Sequence, residues 1–343
     1  MLPRSRLPRA LVLLAVLSLT TLGLTAPGEA QVRTTGDEHV VAKAKQMKDP
    51  RRTQGLFVDP LMPGANHGAP YKKAIGSKAQ ALWIIPEAYG TKWVRGIVRD
   101  YTSRALKAKK TPMLTIYGIP GRDCGGHSSS GALKNAAQYR AWIRQVGKGL
   151  KSQKALVILE PDALPFFGSD VQCERPDGWL GMLRFASRVL SKSGAWVYLD
   201  AGHSNWTPYD QRPAQLKKAG IAYARGFSTN VSNFRPTGDE KAYAAKMLAG
   251  LRKLGVKGKH YVIDTSRNGY GTPADDQVIN PPWARVGAKP RLVFKGAFDG
   301  TLWVKHPGES DGYENGGNGS GKWCDLLADR LLNRSSDQGS CSD

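Results

Sequence analysis

Beyond its first thirty residues the chain has no apolar run near the roughly eighteen residues that a membrane-spanning helix needs, which excludes helical membrane anchoring of the mature protein. Histidine and cysteine are scarce, at six and four, and form no closely spaced cluster of the kind that holds zinc, so neither a metal nor another cofactor is expected. Acids are few as well: 28 Asp and Glu against 50 Lys and Arg leave a formal charge of +22. That balance suits nucleic acid or an anionic surface. The Lys and Arg are nevertheless spread along the whole chain, with no dense cluster interleaved with aromatics. No nucleic-acid partner is expected, and weak adhesion to an anionic cell wall is the better reading. With no internal repeat and no separate binding module, the protein is expected to be a monomer.

The amino-terminal segment has its own grammar. Arg4, Arg6 and Arg9 precede an apolar stretch from Ala10 to Leu24, and Gly28-Glu29-Ala30 supplies small residues where a signal peptidase cuts. Residues 1–30 therefore read as a cleaved secretory signal, which places the protein outside the cell. Polar residues 31–53 read as a linker or disordered tail, leaving 54–343 as one domain. In an exported chain the even count of Cys124, Cys173, Cys324 and Cys341 favours two disulfides.

Short apolar runs then alternate with helical spacers. The runs are Gly55–Asp59, Ala81–Pro86, Met113–Tyr117, Leu156–Glu160, Trp196–Asp200, Gly226–Asn230, Tyr261–Asp264 and Leu302–Lys305, and Asn135–Leu150 and Asp239–Leu254 exemplify the helices. Such alternation predicts an α/β fold with mainly parallel strands, and seven or eight units favour a barrel over an open sheet. The runs end on Asp59, Tyr117, Glu160, Asp200, Asn230, Asp264 and Lys305, so their carboxyl ends should line one polar cleft. Pro161 is expected to hold Glu160 extended and turn the chain. The glycine-rich Asn315–Gly321 lacks the Lys and helix of a phosphate loop and reads as a flexible surface loop.

Three acids from three loops of that face carry the chemistry: Asp123, Asp162 and Asp311. Carboxylates crowded in one cleft repel, so at least one retains its proton near neutral pH. A protonated acid beside an ionised one is what cleavage of a glycosidic bond requires. Arg122 beside Asp123 would keep that carboxylate ionised and leave Asp162 as the proton holder. Trp206 and Trp283, in loops after strand ends, suit the apolar faces of sugar rings, as does Trp303, whereas Trp142 and Trp196 read as core.

Val58-Asp59-Pro60, Gly121-Arg122-Asp123-Cys124, Leu159-Glu160-Pro161-Asp162, Asp200-Ala201-Gly202-His203, Thr229-Asn230-Val231, Asp264-Thr265-Ser266-Arg267-Asn268-Gly269 and Lys305-His306-Pro307-Gly308-Glu309-Ser310-Asp311 follow one another in this order. In that order they resemble glycoside hydrolase family 6, the secreted cellulases. The resemblance implies a distorted (β/α) barrel of seven mainly parallel strands in a single domain, and metal-free hydrolysis of β-1,4-glucan with inversion. It implies Asp162 as general acid, Asp123 as the carboxylate tuning it, and Asp311 as the base, acting directly or through a water chain. Tyr117 would press on the distorted sugar and Ser129 position water. Asp59, Arg122, His203, Trp206, Asn230, Trp283, Lys305 and Glu309 would contact substrate.

The resemblance also pairs Cys124 with Cys173. Ala284 and Tyr313 stand where the family's second disulfide falls, so Cys324 should pair with Cys341 and the Asp311 loop should be loosely held and move on binding. Gly118, where relatives carry Asp or Asn, should loosen the cleft floor. Short connections and the Gly-Gly-His-Ser-Ser-Ser run after Cys124 favour an open cleft cutting internal bonds. An exo-acting cellobiohydrolase, a hydrolase of another polysaccharide, and a non-catalytic secreted glycan- or wall-binding protein on the same fold are the alternatives.

Overall fold

The computed structural model describes residues 49–125, 131–168, 178–271, 278–335 and 339–343. Among them eight strands form a single sheet: β1 (Leu82–Ile84), β2 (Met113–Ile116), β3 (Leu156–Leu159), β4 (Trp196–Asp200), β5 (Gly226–Thr229), β6 (His260–Asp264), β7 (Arg291–Lys295) and β8 (Phe298–Leu302). Their spatial order is β1-β2-β3-β4-β5-β6-β8-β7, and all are parallel except β7, which runs antiparallel to β8 at the edge. Seven parallel strands thus carry an eighth, antiparallel one.

β3 shows why the apolar runs form strands. Leu156 and Ile158 point into the curl of the sheet with Met113, Tyr198 and Val262, while Val157 and Leu159 point out against the helices. Both faces are buried, so every position is apolar. The curl brings β1 round to the end of β8: the Ala81 N–H donates to the Trp303 carbonyl at 3.1 Å, and Trp83 Nε1 to the Val304 carbonyl at 2.8 Å. Close approach within the sheet has its own demand. A Cβ on Gly226 would lie 1.7 Å from the His260 carbonyl oxygen, so only glycine lets β5 meet β6 there.

Helices cover the outer face. The helix Ala136–Leu150 starts where Asn135 accepts the Gln138 N–H at 3.0 Å, an N-cap, and Thr237–Lys253 is the second long helix expected from the sequence. No helix among the described residues is long and apolar enough to cross a membrane.

Three expectations are corrected. Gly55–Asp59 is not a strand; only Leu56 bridges to Thr111, because the chain turns at Asp59-Pro60, where Asp59 accepts the Leu61 N–H at 3.1 Å. The last parallel strand is Phe298–Leu302 rather than Leu302–Lys305; its Asp299 and Gly300 hide it from a hydrophobicity reading. The glycine-rich stretch is packed rather than loose: Asn318 is buried and donates to the Trp323 and Ser342 carbonyls at 3.1 and 3.0 Å, and a Cβ on Gly317 would meet the Gly312 oxygen at 2.1 Å. The bond between Cys324 and Cys341 secures the same region.

Candidate active site

The chain emerging from β2 passes Tyr117, buried and topped by the Arg122 guanidinium 4.8 Å from its ring centre. Arg122 in turn pairs with Glu87 at 2.9 Å. Gly118 does not loosen this floor, since Trp142 fills the space: a Cβ there would come within 2.9 Å of the indole.

The Gly118 and Ile119 N–H groups donate to one carboxyl oxygen of Glu160, at 2.9 and 3.0 Å, and the Tyr139 hydroxyl donates to the other at 2.8 Å. Glu160 therefore ties the β2 loop to the end of β3. It is not extended. Its φ is +51° and that of Asp162 is +65°, left-handed values that non-glycine residues hold only when their surroundings impose them.

Burial pushes the Glu160 carboxyl up to about 7, with its three hydrogen bonds opposing. A carboxyl that is easier to protonate when folded stabilises the protein fully below its unfolded value near 4.5, and that stability is lost as pH rises through about 7. The span corresponds to on the order of 3 kcal/mol. Melting temperature should accordingly fall between pH 4.5 and 7.5, and Glu160→Gln should flatten part of that slope; parallel curves for the two proteins would refute this.

Asp162 is held at the tip of the turn by its backbone, whose N–H donates to Asp200 Oδ2 at 2.9 Å. Asp200, at the end of β4, is fully engaged: the same oxygen accepts the Gly202 N–H at 3.1 Å, and Oδ1 accepts the Ser228 hydroxyl at 3.1 Å. Burial raises Asp200 to about 7. Asp162, Asp123 and Asp311 each keep a partly exposed side chain, whereas Asp200 and Glu160 lie buried beneath. Desolvation first, then the negative charges of Asp200, Asp123 and Asp311, drive the Asp162 carboxyl far above the usual range. Asp123, Asp200 and Asp311 thus each lie near enough to Asp162 for their charges to act on its carboxyl.

Asp311 has the opposite surroundings. Arg267 Nη1 lies 2.5 Å from Oδ2 and Lys305 Nζ 2.9 Å from Oδ1. Against a desolvation cost that would raise it, these cations hold Asp311 down at about 2. Lys305 is thereby committed to Asp311, and its backbone N–H to Asp264 Oδ2 at 3.1 Å. Asp264 also accepts the Ser232 and Ser266 N–H groups at 3.0 and 2.9 Å, clamping the β6 and β8 loops together.

The Asp311 loop is not loosely held. Asn280 Oδ1 accepts the Asp311 N–H at 2.8 Å, and its Nδ2 donates to the Gly312 and Glu314 carbonyls at 2.6 and 3.0 Å. One amide side chain does the tethering for which a disulfide was looked for. Asn280→Ala should cost about 2 kcal/mol by stranding these buried groups and should lower kcat more than it changes KM. Thermal unfolding and steady-state kinetics check this; an unchanged melting temperature would contradict it.

The remaining expected residues divide. His203 is buried and held neutral, at about 3, by desolvation and by Arg235 and Arg212. It lies 5.4 Å from the half-buried Trp206, which meets Phe166 edge-on. Trp283 is half-buried against Tyr270 and Phe234. Glu309 pairs with His306 Nδ1 at 2.7 Å, and His306 Nε2 lies 2.6 Å from the Ala81 carbonyl. Asn230 spends its amide on the Asp264 carbonyl and the Arg235 N–H, at 2.8 and 2.9 Å, as a turn-former. Trp303 is core, packed on Ile75 and Ala328.

Asp59 does not join the group: its carboxylate pairs with Arg104, beside Tyr101, whose hydroxyl bonds the Met113 carbonyl at the opposite end of β2. Cys124 is disulfide-bonded; Ser129 and Cys173 lie outside the described residues. Sequence reasoning missed Asp200 and Arg267 as site residues, although both stand in the quoted motifs.

With this geometry in view, a family model described as Glycosyl hydrolases family 6 matches residues 54–325. Endoglucanase A of Cellulomonas fimi is 40% identical over 289 residues, 81% of this chain and 61% of that protein. Endoglucanase 1 of Streptomyces halstedii is 34% identical over 286 residues, 78% of this chain and 84% of that one. The chain thus spans 61% of the Cellulomonas protein and about half, 49%, of Endoglucanase A of Thermobispora bispora. Among solved structures, the endoglucanase Cel6 from Mycobacterium tuberculosis, in complex with methyl-cellobiosyl-4-deoxy-4-thio-β-D-cellobioside, superposes with a TM-score of 0.76 at 35% identity, covering 83% of this chain and 99% of that one. The endoglucanase CEL6B from Humicola insolens gives 0.67 at 26% identity, covering 83% and 98%.

Proposed function

The chain belongs to the glycosyl hydrolases family 6, and from that premise we propose that it is a secreted, inverting endo-β-1,4-glucanase acting on cellulose or a related β-glucan. The observation that carries the reading is the unequal treatment of two carboxyls close enough for the charge of one to act on the other. Asp162 is crowded by burial and three acids and keeps its proton, while Asp311 is held ionised by Arg267 and Lys305. The names of the bacterial relatives support the endo mode.

In this mechanism Asp162 gives its proton to the oxygen of the scissile linkage. Water then attacks the anomeric carbon from the far side, and its proton passes toward Asp311. A carboxylate held at about 2 is too weak a base to pull that proton far on its own, which favours relay through water, positioned by Ser129. Asp123 adds negative charge beside the developing oxocarbenium ion. Tyr117 forms the floor beneath the sugar, Trp206 and Trp283 offer ring faces, and His203, Arg122 and Glu309 supply polar contacts. Asp200 holds the Asp162 backbone at the angle the proton transfer needs. Residues 1–30 act as the export signal and the residues after them as the linker, which ends before residue 49 rather than at 53, because Arg51 is buried and donates to the Ala155 and Gly194 carbonyls at 3.1 Å; the protein works as a monomer.

The test is hydrolysis of hydroxyethylcellulose, a neutral soluble glucan. Viscosity should fall well ahead of the rise in reducing ends, and NMR should detect the α-anomer first. A β-anomer appearing first would overturn inversion, slow viscosity loss would overturn the endo mode, and the absence of any new reducing ends would overturn the enzyme reading.

A further inference from the structure

Between Cys124 and Leu159, and again between Gly178 and Leu199, the chain contains no Asp or Glu. Each stretch holds a long helix, Ala136–Leu150 and Trp179–Lys192, and the first packs beside both the second and Val94–Lys107 on the outer layer. Their solvent side is consequently almost purely cationic. Arg95, Arg140, Arg144, Lys148, Arg184 and Arg188 are all exposed, and among the described residues none of them makes an ion pair. The one acid on the three helices, Asp100, is paired with Arg104 at 3.0 Å.

The cations are also organised. Arg140 and Arg144, one helical turn apart, both lean over Phe185 of the neighbouring helix, at 5.8 and 5.0 Å from its ring centre. Arg184 lies near enough to the exposed Tyr223 hydroxyl for its charge to lower that phenol's pKa. Arg99 ties the third helix in by donating to the Lys148 and Lys151 carbonyls, both at 3.1 Å. Guanidinium groups parked on aromatic rings lose little freedom when they then grip an anion, and their planar forks suit carboxylates in pairs. Like charges kept this close with no counter-charge cost stability unless something anionic covers them.

We propose that this three-helix face docks a linear carboxylated polysaccharide, a polymer of uronic acid, while the cleft stays free for glucan. The choice of partner rests on the proposed β-1,4-glucanase activity, because β-glucan in plant material is embedded in uronate polymers. Two rows of arginines about 6 Å apart along each helix present the repeated positive charge that a regularly carboxylated chain would complement.

The test uses polygalacturonate as probe and the chain lacking residues 1–30. Binding should be measurable at 20 mM salt and fall at least tenfold by 200 mM, because exposed charges are screened over about 10 Å at 0.1 M. The variant R140E/R144E/R184E/R188E should bind at least tenfold more weakly, and the milder R140Q/R144Q about threefold. A reversal of equal charge elsewhere, R252E/K253E/K257E/K289E, should change binding less than threefold. All variants should hydrolyse hydroxyethylcellulose at the parental rate. Equal losses from the two reversals would reduce the effect to net charge and overturn the proposal, as would tighter binding to polyphosphate or to phosphatidylglycerol vesicles. Absent hydrolysis with intact, site-dependent binding would instead overturn only the glucanase reading.

Discussion

Asp162→Ala is expected to lower kcat on β-1,4-glucan by about 10³- to 10⁴-fold, the upper part of the range for a lost general acid, while cello-oligosaccharide affinity changes little. The asymmetry follows from where the carboxyl sits. Burial first, and then the negative charges of Asp200, Asp123 and Asp311, keep the proton on Asp162, rather than any contact that a sugar would share. Deleting the side chain removes the proton donor, and among the described residues no hydrogen bond runs through it; the turn is held through the Asp162 N–H, which alanine keeps. A substrate whose leaving group needs no protonation, such as a cellobiosyl fluoride, should therefore recover most of the lost rate. Comparing kcat on the fluoride and on cellotetraose distinguishes this from a collapsed site. An equal loss on both would mean that Asp162 is not the acid.

How much of this was legible beforehand depends on the kind of information. The parallel frame was, because β3 and β4 are buried on both faces and their composition says so directly. The acids were, because strands ending in polar residues converge on one edge whatever the details of the loops. Partnerships were harder to read. Asp59 ends its run on an acid as Asp200 does, but the run pairs through a single residue, and Arg104, 45 positions later, captures the carboxylate. Lys305 looks like a substrate ligand in one dimension and Arg267 draws no notice there; only folding shows that both pair with Asp311. Glu160 ends its run on an acid as Asp200 does, and the three buried donors it accepts make it a strut. Residue type predicted where polar groups gather, and tertiary contact decided which of them remain free to act.

That distinction sets the second large effect, at Asp311. If this carboxylate is an electrostatic partner for water rather than a strong base, what matters is that it stays ionised and oriented, and Arg267 does both: Nη1 grips Oδ2 while Nη2 bonds the Ser232 carbonyl and the guanidinium covers Phe234. Asp311→Asn should cut kcat by about 10²- to 10³-fold, because the amide keeps the shape and loses the charge. Arg267→Met should act through pH instead. With one of its two cations gone, Asp311 climbs from about 2 toward the ordinary carboxylate range. The acid limb of the kcat profile, which lies below the working range in the parent, then moves up into it, while the alkaline limb set by Asp162 stays where it is. Asp311 must be ionised to work, so activity in the variant is lost as pH falls and recovered as pH rises. Measuring kcat from pH 3 to 9 for parent, Arg267→Met and Asp311→Asn checks this. An acid limb that stays put in Arg267→Met would show that the arginine only braces the loop, and a full-rate Asp311→Asn would remove Asp311 from the reaction altogether.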